Sequence, residues 1–91
     1  MLSAQVTYGD AVAQEIDKDS PVPPYRQVAA FLRAQIERGE LPPGRRLPSI
    51  AALVQTYGIA RTTAAKALRV LVDEGVAEVS PGMGTYVTGR E

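Results

Sequence analysis

The chain contains no cysteine and no histidine. The lack of cysteine rules out disulfides, thiolate chemistry and zinc ribbons, and it suits a reducing cytosol. The lack of histidine removes the usual general base and the commonest metal ligand together, so neither an enzyme nor a bound metal or cofactor is expected. No charged n-region followed by a long apolar run opens the sequence, and no segment is apolar enough to span a bilayer. The expectation is therefore a cytoplasmic protein with no membrane partner. Aromatic residues are sparse, at 5%. A chain of 91 residues has room for one small domain with a modest core, and not for a second, ligand-sensing domain beside it.

Net charge is also absent, with ten basic residues against ten acidic ones. The cancellation hides an asymmetry along the chain. Residues 1–23 carry Asp10, Glu15, Asp17 and Asp19 against Lys18 alone, a net −3, whereas the remainder carries a net +3. A mildly basic body behind an acidic leader follows from this division.

What is present is punctuation. Pro21, Pro23 and Pro24 forbid helix around Val22 and mark a boundary, so residues 1–23 read as a leader segment. In that leader Tyr8, Val12 and Ile16 recur at i, i+4, i+8, which leaves two readings open: a short amphipathic helix, or a frayed acidic tail. From Tyr25 the apolar period is firmly helical, with Tyr25, Val28, Ala29, Leu32 and Ile36 on one face and Gly39 as the stop. Pro24 suits the first helical position. After the rigid Pro42-Pro43-Gly44 loop, Arg45-Arg46-Leu47 is a short segment able to pair with a later hairpin. Ser49 is placed as the N-cap of a second helix whose face is Ile50, Leu53, Val54 and Tyr57, closed by Gly58. A third helix is expected from about Ala60 to Glu74, burying Ala64, Leu68, Leu71 and Val72. Val76–Val79 and Thr85–Thr88 read as strands joined by Ser80-Pro81-Gly82-Met83-Gly84.

Helix, tight glycine turn, helix and glycine-tipped hairpin make up a mainly α winged helix-turn-helix of three helices over residues 24–88, with 89–91 as a tail. Such an arrangement binds double-stranded DNA by laying its second motif helix in the major groove. The first turn of that helix must offer short polar or basic groups, because it approaches the base edges while its free N–H groups favour phosphate. Arg61, Thr62 and Thr63 meet that need: arginine can pair bidentately with guanine, and threonine can bond phosphate or pack on a thymine methyl. Lys66 and Arg69 lie further along the same exposed face as candidate phosphate neutralisers, joined by Arg45, Arg46 and Ser49 from the preceding segments. Gly82, Met83 and Gly84 form the wing tip, where glycines permit close backbone approach to the minor groove or to phosphate. Gly82-Met83-Gly84-Thr85 lies between strands, so it is no dinucleotide-binding fingerprint.

These landmarks together resemble the DNA-binding domain of the GntR family of bacterial transcription regulators. The resemblance covers about residues 24–88 and rests on Pro23-Pro24-Tyr25, the run Gly39-Glu40-Leu41-Pro42-Pro43-Gly44-Arg45-Arg46-Leu47-Pro48-Ser49, Arg61-Thr62-Thr63 with Ala67-Leu68, Asp73-Glu74-Gly75, and Gly82-x-Gly84-Thr85-Tyr86-Val87. It implies a winged helix and the role of a metabolite-responsive repressor that occupies an operator. It carries the family's recognition residues onto Arg61, Thr62 and Thr63, and its wing glycine onto Gly82. The sequence departs from the family where Ile50-Ala51-Ala52 replaces a common Glu-Arg-Glu, where Ala60 replaces a Ser or Thr cap, and where Ala65 replaces a basic residue. The wing reads Val79, Ser80 and Met83 where arginines are frequent. The family's effector domain has no counterpart in these 91 residues, so no small-molecule effector site is expected within them. A homodimer on a two-fold operator is the expected partner arrangement, with the leader as a candidate self-association segment. The alternative reading is a winged helix reused for protein interaction, supported by the alanines on the reading face and the arginine-poor wing.

Overall fold

Pro24 occupies the first position of helix α1 (Pro24–Glu37), where a missing N–H costs nothing, and the Pro23 carbonyl accepts from the Arg26 and Gln27 amides at 3.0 and 3.1 Å. The computed structural model describes residues 15–89. Along α1 the expected face is the inward one: Val28, Ala29 and Leu32 are buried, and Tyr25 and Ile36 are half-buried beside them.

Helix α2 (Ile50–Tyr57) begins at Ser49, whose Oγ accepts from the Ala52 amide at 3.0 Å, the N-cap expected from the sequence. It ends at Gly58, held at φ 66°, ψ 38° with its amide on the Val54 carbonyl. That left-handed step folds the chain sharply into helix α3 (Arg61–Asp73), and a side chain there would be strained. Leu53 is buried, and Ile50, Val54 and Tyr57 of the same face are half-buried. Phe31 of α1 meets Tyr57 of α2 with ring centroids 5.7 Å apart.

In α3 the buried residues are Ala64, Ala67, Leu68 and Leu71. Ala67 is buried in addition to the expected residues, and Val72, expected to be buried, is half-buried and lies toward the hairpin. The small Ala64 and Ala67 side chains let α1 approach α3 closely, and Arg33 of α1 clamps Glu74 with Nη2 at 2.8 Å from both carboxylate oxygens and Nε at 3.0 Å from one.

The hairpin pairs β1 (Ala77–Ser80) with β2 (Gly84–Val87), antiparallel, with Ala77 opposite Val87 and Ser80 opposite Gly84. Both strands start one residue away from the expected limits. Val76 is taken up by the end of α3, donating to the Leu71 carbonyl at 3.1 Å, and Gly84 joins the ladder instead of the turn. Segment 44–47 lies on the other edge of β2, as expected: Arg46 bridges Tyr86, Leu47 donates to the Thr85 carbonyl at 2.8 Å, and Val87 donates to the Arg45 carbonyl at 2.8 Å. The segment ahead of α2 thus supplies a third edge to the wing. Leu47, Ala77 and Val87 close the core from that side.

The leader is described from residue 15 onward. Ile16 lies in irregular backbone and packs half-buried against the core, so it does not extend a helical stripe; Tyr8 and Val12 lie outside the described residues. Gln27 secures this strap. Its Oε1 accepts from the Asp17 amide at 2.8 Å, and its Nε2 donates to the Asp17 and Val22 carbonyls at 2.9 and 2.8 Å. Residues 15–23 are therefore attached to the domain rather than separate from it.

Candidate nucleic-acid interface

Helix α3 begins without a side-chain cap. Ala60 is extended at φ −72°, ψ 156° and has no hydroxyl to offer, so the amides of the first turn are not covered by a capping side chain. Arg61 and Thr62 stand exposed on that turn, and Thr63 is half-buried. Beyond them Ala65, Lys66 and Arg69 are exposed along the outer face, as the sequence indicated.

The tertiary fold then sorts the candidate cations. Arg46, Ser49, Arg61 and Gly84 line one cleft of about 320 Å³ between the starts of the two motif helices and the wing. Arg46 lies directly on Gly84: a Cβ built there would sit 2.8 Å from the arginine Nε and 3.2 Å from Nη2. The glycine is favoured by its backbone, held at φ 129°, where any other side chain would be strained, and the mobile guanidinium fills the space beside it. Arg69 lines the adjoining groove between α3 and the wing with Ala65, Val72 and Val79, and its Nε is 3.7 Å from Asp73 Oδ1. Lys66 turns the other way, its Nζ 5.5 Å from the centre of the Tyr25 ring. Arg45 is exposed but lines neither cleft, since neighbours along an extended segment point to opposite sides. At the wing tip Pro81 and Gly82 form the turn closed by the Met83 amide on the Ser80 carbonyl at 2.9 Å, leaving Met83 59% exposed.

Pairing distinguishes structural from available charges. Arg33 is bound to Glu74, and Arg38 to Glu40 at 2.8 Å. That contact holds the Glu40 carboxyl below its usual pKa, chiefly through the hydrogen bond from Arg38. Among the described residues, Arg26, Arg45, Arg46, Arg61 and Lys66 have no carboxylate partner. Arg26 is the member that sequence reasoning overlooked. Its signal is the Tyr25-Arg26 pair at the start of α1, where the helical period marks Tyr25 only as a core residue.

Three helices, the left-handed glycine turn and a three-edged hairpin define the class: a winged helix-turn-helix. The family model of bacterial regulatory proteins, gntR family, matches residues 24–87. The mannosyl-D-glycerate transport/metabolism system repressor MngR of Escherichia coli (strain K12) is 49% identical over 65 residues, covering 71% of this chain and 27% of MngR. Among solved structures, YtrA from Sulfolobus acidocaldarius, a GntR-family transcription factor, superposes with a TM-score of 0.75 at 39% identity, covering 87% of this chain and 82% of that one. The crystal structure of AraR(DBD) in complex with operator ORX1 gives a TM-score of 0.76 at 29% identity, covering 81% and 94%. The chain belongs to the gntR family of bacterial regulatory proteins. It spans little more than a quarter of the length of the curated relative MngR.

Proposed function

We propose that this domain binds an operator duplex in the bacterial cytoplasm and represses transcription by occupying it. α3 lies in the major groove with Arg61 on a guanine edge and with Thr62 and Thr63 on phosphate or a thymine methyl. Arg45, Arg46, Lys66 and Arg69 neutralise phosphates, Ser49 orders the start of α2 beside them, and Gly82, Met83 and Gly84 lie against the minor groove or backbone. The observation that carries this reading is the set of cations without carboxylate partners around an uncapped α3, in a fold shared with a relative solved on its operator. Effector sensing belongs to a further domain of the kind the longer relatives have room for, and two protomers on a pseudo-palindrome supply the affinity one half-site lacks.

The protein-interaction alternative draws on the exposed Val79 and Met83 of the wing. Val79 and Met83 line one shallow cavity of the wing with Pro81 and Tyr86, a small apolar surface of a kind ordinary on folded proteins, and the unpaired cations outweigh it. The test is binding of Arg61→Ala to duplexes selected from a random pool. Base readout predicts a loss of about 1–3 kcal/mol on selected duplexes, with discrimination relaxed at one base pair. Uniform weakening on every duplex would reassign Arg61 to phosphate, and a wild-type protein that binds no duplex would favour the interaction module.

A further inference from the structure

Lys66 does not stand alone on its flank of the recognition helix. The Tyr25 ring has two cations within reach: Lys66 Nζ at 5.5 Å from its centre and Arg26 Cζ at 5.4 Å. Neither cation has a carboxylate partner among the described residues, and Arg26 and Lys66 are both exposed while Tyr25 is half-buried against the core. Each cation is attracted to the ring, and an anion bound at this corner is stabilised by both charges at once. The positive end of α1 adds to the same field.

The location gives this corner its meaning. Five residues separate Arg61 from Lys66, which places them about 140° apart around α3. Arg61 borders the cleft on the wing side with Arg46, and Lys66 borders the opposite side with Tyr25 and Arg26. Cations therefore rim both edges of the exposed face of α3, as a helix seated between the two strands of a major groove requires. We propose that Tyr25, Arg26 and Lys66 form a phosphate-binding corner that grips a duplex phosphodiester on the side of α3 away from the wing. Arg26 and Lys66 supply the charge. Tyr25 is the positioning residue: its stiff ring holds both long side chains in place and lowers the entropy they lose on contact. The inference rests on the DNA-binding reading above and adds two residues to it.

The experiment measures log K against log salt for the 91-residue chain and its variants on selected and random duplexes. Arg26→Ala and Lys66→Ala should each weaken both classes of duplex alike and reduce the slope by about 0.9. Each deficit relative to wild type should therefore shrink about 3.5-fold between roughly 50 and 200 mM salt. Tyr25→Phe, which keeps the ring, should retain the wild-type slope, whereas Tyr25→Leu should lose part of it at unchanged thermal stability or after correction for any fraction unfolded. A purely structural tyrosine would shift melting without moving the slope. An Arg26→Ala slope equal to that of wild type, with Arg61→Ala still losing discrimination, overturns the corner and leaves the DNA reading intact. Failure of the wild-type chain to bind any duplex removes both.

Discussion

The three-helix bundle and the wing use their residues in opposite ways. In the bundle the large aliphatics Val28, Leu32, Leu53 and Leu71 are buried to 1% exposure or less, and α1 is tied to the end of α3 by the Arg33–Glu74 pair. In the wing only Ala77 and Val87 reach the core, while Val79 is 60% exposed and Met83 59%. The large, fully buried aliphatics thus belong to the helices, while the hairpin is held by backbone hydrogen bonds to segment 44–47 and by its inward Ala77 and Val87, with Val79 and Met83 left exposed. A reader domain built this way separates the part that must not move from the part that must adapt.

The largest test of this division is Leu71→Ala. Its side chain is fully enclosed in the core shared by the helices, so the cavity should destabilise the domain by about 2–5 kcal/mol in chemical unfolding, a large share of what a domain of this size possesses. A loss below about 1 kcal/mol would show that stability does not reside in the helical bundle. Next in size, Ser49→Ala removes the hydroxyl that caps α2 and should cost about 1 kcal/mol, recovered in large part by Ser49→Asp. In the wing, Val79→Thr and Met83→Ser should change stability by no more than about 0.5 kcal/mol. A greater loss would place the hairpin among the stabilising elements and end the contrast.

The smallest effect concerns alkaline pH. Burial raises the Tyr57 phenol above its ordinary pKa, because the phenolate is poorly solvated between α1 and α2. A folded-state pKa above the unfolded one means the contribution is intact below pH about 10 and declines as pH rises through the folded value. Tyr57→Phe should leave melting near neutrality almost unchanged and remove that part of the alkaline decline. An unchanged alkaline profile would show that Tyr57 ionises as freely in the fold as in the unfolded chain.

Much of the fold is legible in the linear sequence because its signals are local. Proline at the start of α1, serine ahead of α2 and glycine after it act within a few residues, through φ restriction, capping and left-handed backbone. The wing strands lie within one residue of their expected starts, and the difference arises where Val76 serves the end of α3 before it can serve the strand. Val72, expected to be buried, is half-buried, and Ala67 is buried in addition, because a helix's inward side depends on the direction from which its neighbours arrive. Ile16 departs from its expected stripe for the same reason: its partner is the core of its own domain.

By itself, then, the sequence determined the order of the elements, their starts to within about a residue, the glycine turn between α2 and α3, and Arg61-Thr62-Thr63 as the first turn of α3. Side-chain period and turn chemistry require no knowledge of distant residues. Only the tertiary structure decided which charges act together. Arg46 and Arg61 border one cleft beside Gly84, Arg45 is directed elsewhere, and Lys66 shares the Tyr25 ring with Arg26, which lies far earlier in the chain. Electrostatic grouping depends on distance in space, and the close approach of α1 to α3 is what brings those residues within reach of one another.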